Sequence, residues 1–251
     1  MEVQHHPHPG KKSFKEYILE FFMIFLAVTM GFFAENLREY FKDQAEIQND
    51  VQSMVSDLRS DTAMYNFYIS SNQLSDRRID TLISMLKKDR SNTAEIYFLA
   101  RYITANNNTF TPTTKTFELM KSSDALKLVR SRNLLDSISE YYQLLQYFPG
   151  VNNLQNEKLS AVHLANGQLF DGYTFQKMFD VVPTELSVVG NIKKPQENVP
   201  LLSDNRVAIN AVIIAYHYLY AVTEVNNKGA LVRCQMASRL INLLKREYGM
   251  P

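Results

Sequence analysis

One cysteine, Cys234, in 251 residues leaves no partner for an intrachain disulfide and excludes a cysteine-rich zinc site. Glycine and proline number eight each, too few for a collagen-like or low-complexity chain. Neither sign of charge dominates: 27 Lys+Arg oppose 26 Asp+Glu for a net charge of +1. The electrostatic basis of a polyanion binder is therefore missing, and no nucleic acid is expected as a partner. The glycine-rich phosphate loops, the nucleophile elbow and the paired-histidine zinc helix are all absent. The chain reads as non-enzymatic, with no catalytic residue, cofactor or metal ligand expected. What it does hold is apolar material, 45% of the residues, in a chain long enough to bury a domain-sized core.

The longest apolar run is Tyr17 to Ala34, YILEFFMIFLAVTMGFFA, interrupted by a single ionisable residue, Glu20. As a helix it spans about 27 Å, enough for one membrane pass. A cleaved signal peptide fits poorly, because Phe32-Phe33-Ala34 puts a bulky ring where the cleavage site wants a small residue. A buried core helix fits poorly too, since phenylalanines surround the run and Lys11, Lys12 and Lys15 precede it. The expected organisation is a disordered cytoplasmic tail over 1–13, a transmembrane anchor over 14–36 and a helical bundle domain over 37–251. The lysines before the run outweigh Arg38 and Lys42 after it, which are interleaved with Glu35, Glu39, Asp43 and Glu46. That bias favours the N-terminus in the cytoplasm and the C-terminal domain, after about residue 36, on the far side, which in a Gram-negative cell is the periplasmic side of the inner membrane. His5, His6 and His8 in the tail lack a carboxylate at fixed spacing and are read as incidental.

Within the anchor, Glu20, Ile24, Ala27, Gly31 and Ala34 recur at steps of three or four and so share one helical face. Ala27 and Gly31 form a small-xxx-small pair that lets a second helix come close. Glu20 is either an interfacial carboxylate near the helix start or a polar contact to a neighbouring helix on that face. Besides the lipid bilayer, the expected partner is another membrane subunit or a second copy.

Beyond Ala34 the helical pattern continues. Leu37, Gln44, Val51, Leu58 and Tyr65 form one seven-residue series and Tyr40, Ile47, Met54, Asp61 and Tyr68 the other, with Gln44 and Asp61 departing from it. With no proline or glycine between Gly31 and Lys88, this predicts one long helix whose stripe packs within its own bundle or self-associates as a coiled coil. Further helices are expected over 94–105, from Ser123 or Asp124 to Val129, from an Asn133 cap to a stop at Pro149-Gly150, and over 152–182. Phe117, Leu119 and Met120 are expected on one apolar patch. An irregular loop is expected over 183–203, where three prolines and Gly190 fall. A final helix follows an Asp204 cap, with Val207, Ala211, Ile214, Tyr218, Ala221 and Val225 as its periodic face and His217 as a satisfied core histidine. Strand signals are scarce, so the fold class is all-α.

The densest basic stretch, Lys115, Lys121, Lys127, Arg130 and Arg132, is either an anion or acidic-partner patch or a solvated helix face. Three segments, Phe14 to Tyr40, Thr116 to Tyr142 and Leu240 to Met250, together resemble a family of uncharacterised Bacteroidota proteins with an N-terminal membrane helix and a helical extramembrane domain. The resemblance implies a Gram-negative envelope protein and carries over no activity, cofactor or site residue. The function expected is that of an accessory or scaffold subunit of an envelope membrane complex, or of a homo-oligomer. The alternative is a periplasmic sensory or ligand-binding bundle that relays through a partner.

Overall fold

The computed structural model describes residues 13–106, 109–183 and 188–250. The expected tail and its histidines, residues 107–108 of the polar break, and residues 184–187 of the expected loop lie outside the described residues. The described chain is predominantly helical. Its order is α1 (Phe14–Lys88), α2 (Thr93–Ala105), α3 (Lys115–Ser122), a 3-10 turn (Ala125–Leu128), α4 (Arg132–Leu145), α5 (Phe148–Leu169), α6 (Gly172–Lys177), β1 (Phe179–Pro183), β2 (Val188–Ile192) and α7 (Arg206–Tyr248). The chain divides into two units, one up to Asp50 and one from Val51. In the first, α1 is exposed at every position from Phe14 to Phe41, including the whole apolar run.

In the second unit, α1 buries one continuous stripe: Val51, Met54, Leu58, Asp61, Tyr65, Tyr68, Asn72, Asp76, Ile79, Leu82 and Leu86. The spacing is that of a helix with one face turned inward. From Val51 to Tyr68 the seven-residue series is thus covered by the chain itself. One core gathers Ile79, Leu82 and Leu86 of α1, Ile96, Tyr97 and Ile103 of α2, Val162 and Leu169 of α5, and Val212, Tyr216 and Leu219 of α7. Helix α7 packs along both α5 and α4.

Helix starts follow local capping chemistry. Asn92 Oδ1 accepts from Glu95 N at 3.1 Å, Ser131 Oγ from Leu134 N at 3.1 Å, and Asn205 Oδ1 from Val207 N at 2.8 Å. Ser131 therefore replaces the expected Asn133 cap and Asn205 the expected Asp204. Asp124 caps nothing: it stands at φ +61° beside the 3-10 turn, in the left-handed region that Asp tolerates better than most residues. Pro149-Gly150 does not end a helix either. The preceding one stops at Leu145, and Pro149 occupies the first turn of α5, where its missing N–H costs nothing.

The expected helix over 152–182 ends at Leu169, and α6 and β1 follow it. The expected irregular loop contains β2, paired antiparallel with β1 from Phe179↔Ile192 to Pro183↔Val188. Val181, Val182, Val188 and Val189 supply the β-branched content this pairing favours. Residues 193–205 then run over the second unit in fixed contact. Asn198 Oδ1 accepts from Ala94 N at 3.0 Å, Pro200 O from Tyr97 Oη at 3.1 Å, and Leu169 O from Leu202 N at 3.0 Å. Of the expected apolar patch on α3, Met120 is buried and Phe117 stacks on Tyr142 at 4.2 Å, while Leu119 faces out.

Candidate functional site

Three groups of residues form candidate sites. The first is the face Glu20, Ile24, Ala27, Gly31 and Ala34 in the apolar part of α1. All five are exposed, and a Cβ built on Gly31 meets no heavy atom within 4 Å. Thr29 Oγ1 returns its hydrogen bond to Phe25 O at 2.7 Å, so this hydroxyl is satisfied within the helix.

The second is the basic stretch, which the fold disperses. Lys115 and Lys121 stand at the two ends of α3, both exposed. Lys127 Nζ pairs with Asp124 Oδ1 at 2.9 Å and Arg132 Nε with Asp136 Oδ1 at 3.7 Å. Arg130 donates from a guanidinium nitrogen to Glu247 O at 2.9 Å and lies 4.6 Å over the Tyr248 ring, locking the α4 entrance to the C-terminal end of α7. Three of the five cations thus already serve contacts within the chain.

The third group, not foreseen as a cluster, is a polar seam buried between α1, α5 and α7. Gln155 Oε1 accepts from Tyr68 Oη at 3.1 Å and from Asn226 Nδ2 at 2.8 Å, while Asn72 Nδ2 donates to Asn227 Oδ1 at 3.0 Å. Asn227 Nδ2 in turn reaches Asp76 Oδ2 at 3.5 Å. Burial, reinforced by Glu224 and Asp80, pushes the Asp76 carboxyl up to about 7. Asp61, the departure in the heptad series, accepts from Thr113 N on both carboxylate oxygens at 3.1 Å and so fixes the approach to α3. Burial outweighs those hydrogen bonds and raises its carboxyl to about 6. Arg233 completes the seam on α7, and a Cβ on Gly229 would come within 3.2 Å of its guanidinium. The signal for this seam in the sequence was the Asp61 departure, which read singly as an interruption of an apolar pattern.

Elsewhere, Cys234 is buried, its thiol pushed up by that burial, with Sγ 3.9 Å from Thr62 O. His217 is exposed on α7, not the core histidine expected, because the neighbouring Tyr216 takes the inward position. Among the described residues no group of three or more His, Cys, Asp or Glu side chains is arranged to hold a metal ion. A cleft of about 540 Å³ between the end of α1 and the start of α7 is lined by Lys87, Arg90, Arg206 and the apolar Leu86, Ile209 and Ile213. Among the described residues two helices, α1 and α7, are long and apolar enough to cross a membrane. The relevant window of α1 has a mean hydropathy of 2.0 with none of it buried, and that of α7 has 1.2 with a third buried. Compared with protein-family models, curated proteins and solved structures, the chain finds no match in any of the three.

Proposed function

We propose that this is a non-enzymatic, membrane-anchored helical protein of a Gram-negative envelope, of the Bacteroidota type its sequence resembles. In this reading Phe14 to Asn36 spans the inner membrane once, the N-terminus is cytoplasmic, and the helical bundle from Leu37 onward is periplasmic. It works through contacts, as an accessory or scaffold subunit of a membrane complex or as a homo-oligomer. The observation that carries the reading is the apolar window of α1, exposed throughout, with Glu20, Ile24, Ala27, Gly31 and Ala34 on one open face. So much exposed apolar surface needs lipid or protein cover. Membrane fractionation with alkaline extraction tests the anchor: an integral protein stays in the pellet, and release into the supernatant overturns the reading. Purification in mild detergent with mass determination then tests the contact role, a defined assembly supporting it and a bare monomer counting against it.

A second reading, a periplasmic ligand-binding bundle, is favoured by the cleft that brings Lys87, Arg90 and Arg206 over an apolar floor, a lining suited to an anionic amphiphile.

A further inference from the structure

Helix α7 is apolar on two opposite faces. Ile209, Val212, Tyr216 and Leu219 enter the core. On the other side Val207 is 76% exposed, Ile214 47%, Tyr218 57% and Val225 68%, with Ala211 and Ala221 between them and Val232 beyond. These are the residues whose periodicity reads as the inward face, and the fold turns them outward. A helix apolar all round is ordinarily covered on all sides.

We propose that this outward stripe is a self-complementary interface, covered by the same stripe of a second copy running antiparallel. The proposal rests on the interaction reading above and names its partner. Charge decides the occupant and the direction. From Val207 to Thr223 there is no Asp, Glu, Lys or Arg; Asp204 and Arg206 precede the stripe, and Glu224 and Lys228 follow it, held to each other at 3.3 Å only by an exposed ion pair of the weak surface kind. The midpoint of Arg206 and Glu224 falls at Ala215, one residue from Tyr216, the midpoint of the stripe Val207 to Val225. One antiparallel register therefore superposes the two apolar stripes and sets each Arg206 level with Glu224 of the second copy. The same register brings each Asp204 within a turn of the second copy's Lys228. Lys87 and Arg90 line the cleft beside Arg206, so the end that receives Glu224 is cationic. A parallel pair instead aligns Lys228 with Lys228 and opposes no charges of unlike sign. The stripe is about 27 Å long and about one helix wide, well below the roughly 800 Å² per partner of a standard interface. The pair is accordingly weak and concentration-dependent.

The test is disulfide trapping with the full chain in mild detergent and a mild oxidant, in a Cys234→Ala background. A mixture of Val207→Cys and Val225→Cys chains should give a cross-linked dimer that neither gives alone. Ile214→Cys, near the axis, should cross-link by itself, and Leu164→Cys, 76% exposed on α5, should not. With Cys234 left in place, Arg206→Glu should weaken the dimer several-fold in sedimentation, and Arg206→Glu with Glu224→Arg should restore it. Cross-linking of Val207→Cys or Val225→Cys alone, no cross-linking at any stripe position, or stripe cysteines shielded from maleimide by lipid without dimers would each overturn the proposal. A chain that pellets with membranes yet fails these trials sinks the pairing alone; a chain that does not pellet sinks the anchor reading.

Discussion

Asp76 is held by its surroundings in a form that bulk water at neutral pH does not favour. Its carboxyl titrates near 7 because it is buried beside Glu224 and Asp80, and Asn227 offers it only a long hydrogen bond. The unfolded chain releases that proton near 4, so the folded state binds it more tightly. The stabilisation is complete below about 4 and is lost as pH rises through about 7. Asp61, raised to about 6, acts in the same direction. Thermal stability should therefore fall between pH 5 and pH 8, and Asp76→Asn should flatten the fall by about 1–2 kcal/mol once screening by nearby water is counted. Unfolding followed by circular dichroism across that range checks it; an unchanged slope in the variant counts against the assignment. Tyr216 provides a pH-independent companion. Its hydroxyl accepts from Asn166 Nδ2 at 3.0 Å and donates to Ala100 O at 3.1 Å in the core. Tyr216→Phe should cost about 1–3 kcal/mol at every pH, because Asn166 Nδ2 loses its acceptor in the core, whereas Ala100 O keeps the bond from Thr104 Oγ1.

At the scale of elements, caps are the sharpest test of how far local chemistry dictates the fold. Ser131 Oγ both caps α4 and donates to Glu247 at 2.7 Å, joining the start of α4 to the end of α7. Ser131→Ala should lower stability by about 1 kcal/mol or slightly more, whereas Asn133→Ala, one residue into the helix and exposed, should change it by less than about 0.5 kcal/mol; denaturant midpoints separate the two. Helices α1 and α2 were legible in the sequence because helical apolar periodicity with no proline, and with no glycine beyond Gly31, leaves little choice of conformation. The hairpin was not, since each strand is five residues long and its apolar content also suits a helix. The orientation of α7 was hidden for a different reason. Periodicity marks an apolar face and is silent on which of two such faces turns inward. The choice is made by Asn226, which meets Gln155, and by Asn227, which meets Asn72 and Asp76, partners that lie far away in sequence and become visible only in three dimensions. The polar seam was obscured in the same way: Asp61 looked like a defect in the heptad series and Tyr68 like an ordinary member of it until their counterparts were in place.

For the whole molecule, the proposed function makes the open face of α1 the decisive variable. Ala27→Leu with Gly31→Leu keeps the segment apolar and long enough to span. It should leave membrane integration intact while reducing any helix-mediated assembly, read as a smaller mass in native electrophoresis of the detergent extract. An assembly unchanged in mass would remove that face from the interface and leave contacts of the domain from Val51 onward to account for it.

The seam that unites α1, α5 and α7 also sets a timetable for biosynthesis. Asn72 is separated from Asn227 by 155 residues, and the contact of Thr62 with Cys234 closes a separation of 172. At roughly 5–20 residues per second, on the order of 10–30 s pass between the emergence of the α1 stripe and that of its α7 partners. During that interval Thr62, Asn72 and Asp76 lack the α7 side chains that meet them in the fold, and the stripe that runs beside them, Val51, Met54, Leu58 and Tyr65, stands without the finished fold around it. The nascent chain thus presents a long apolar ridge to whatever receives it, so folding yield should depend on chaperone supply more than the stability of the finished protein does.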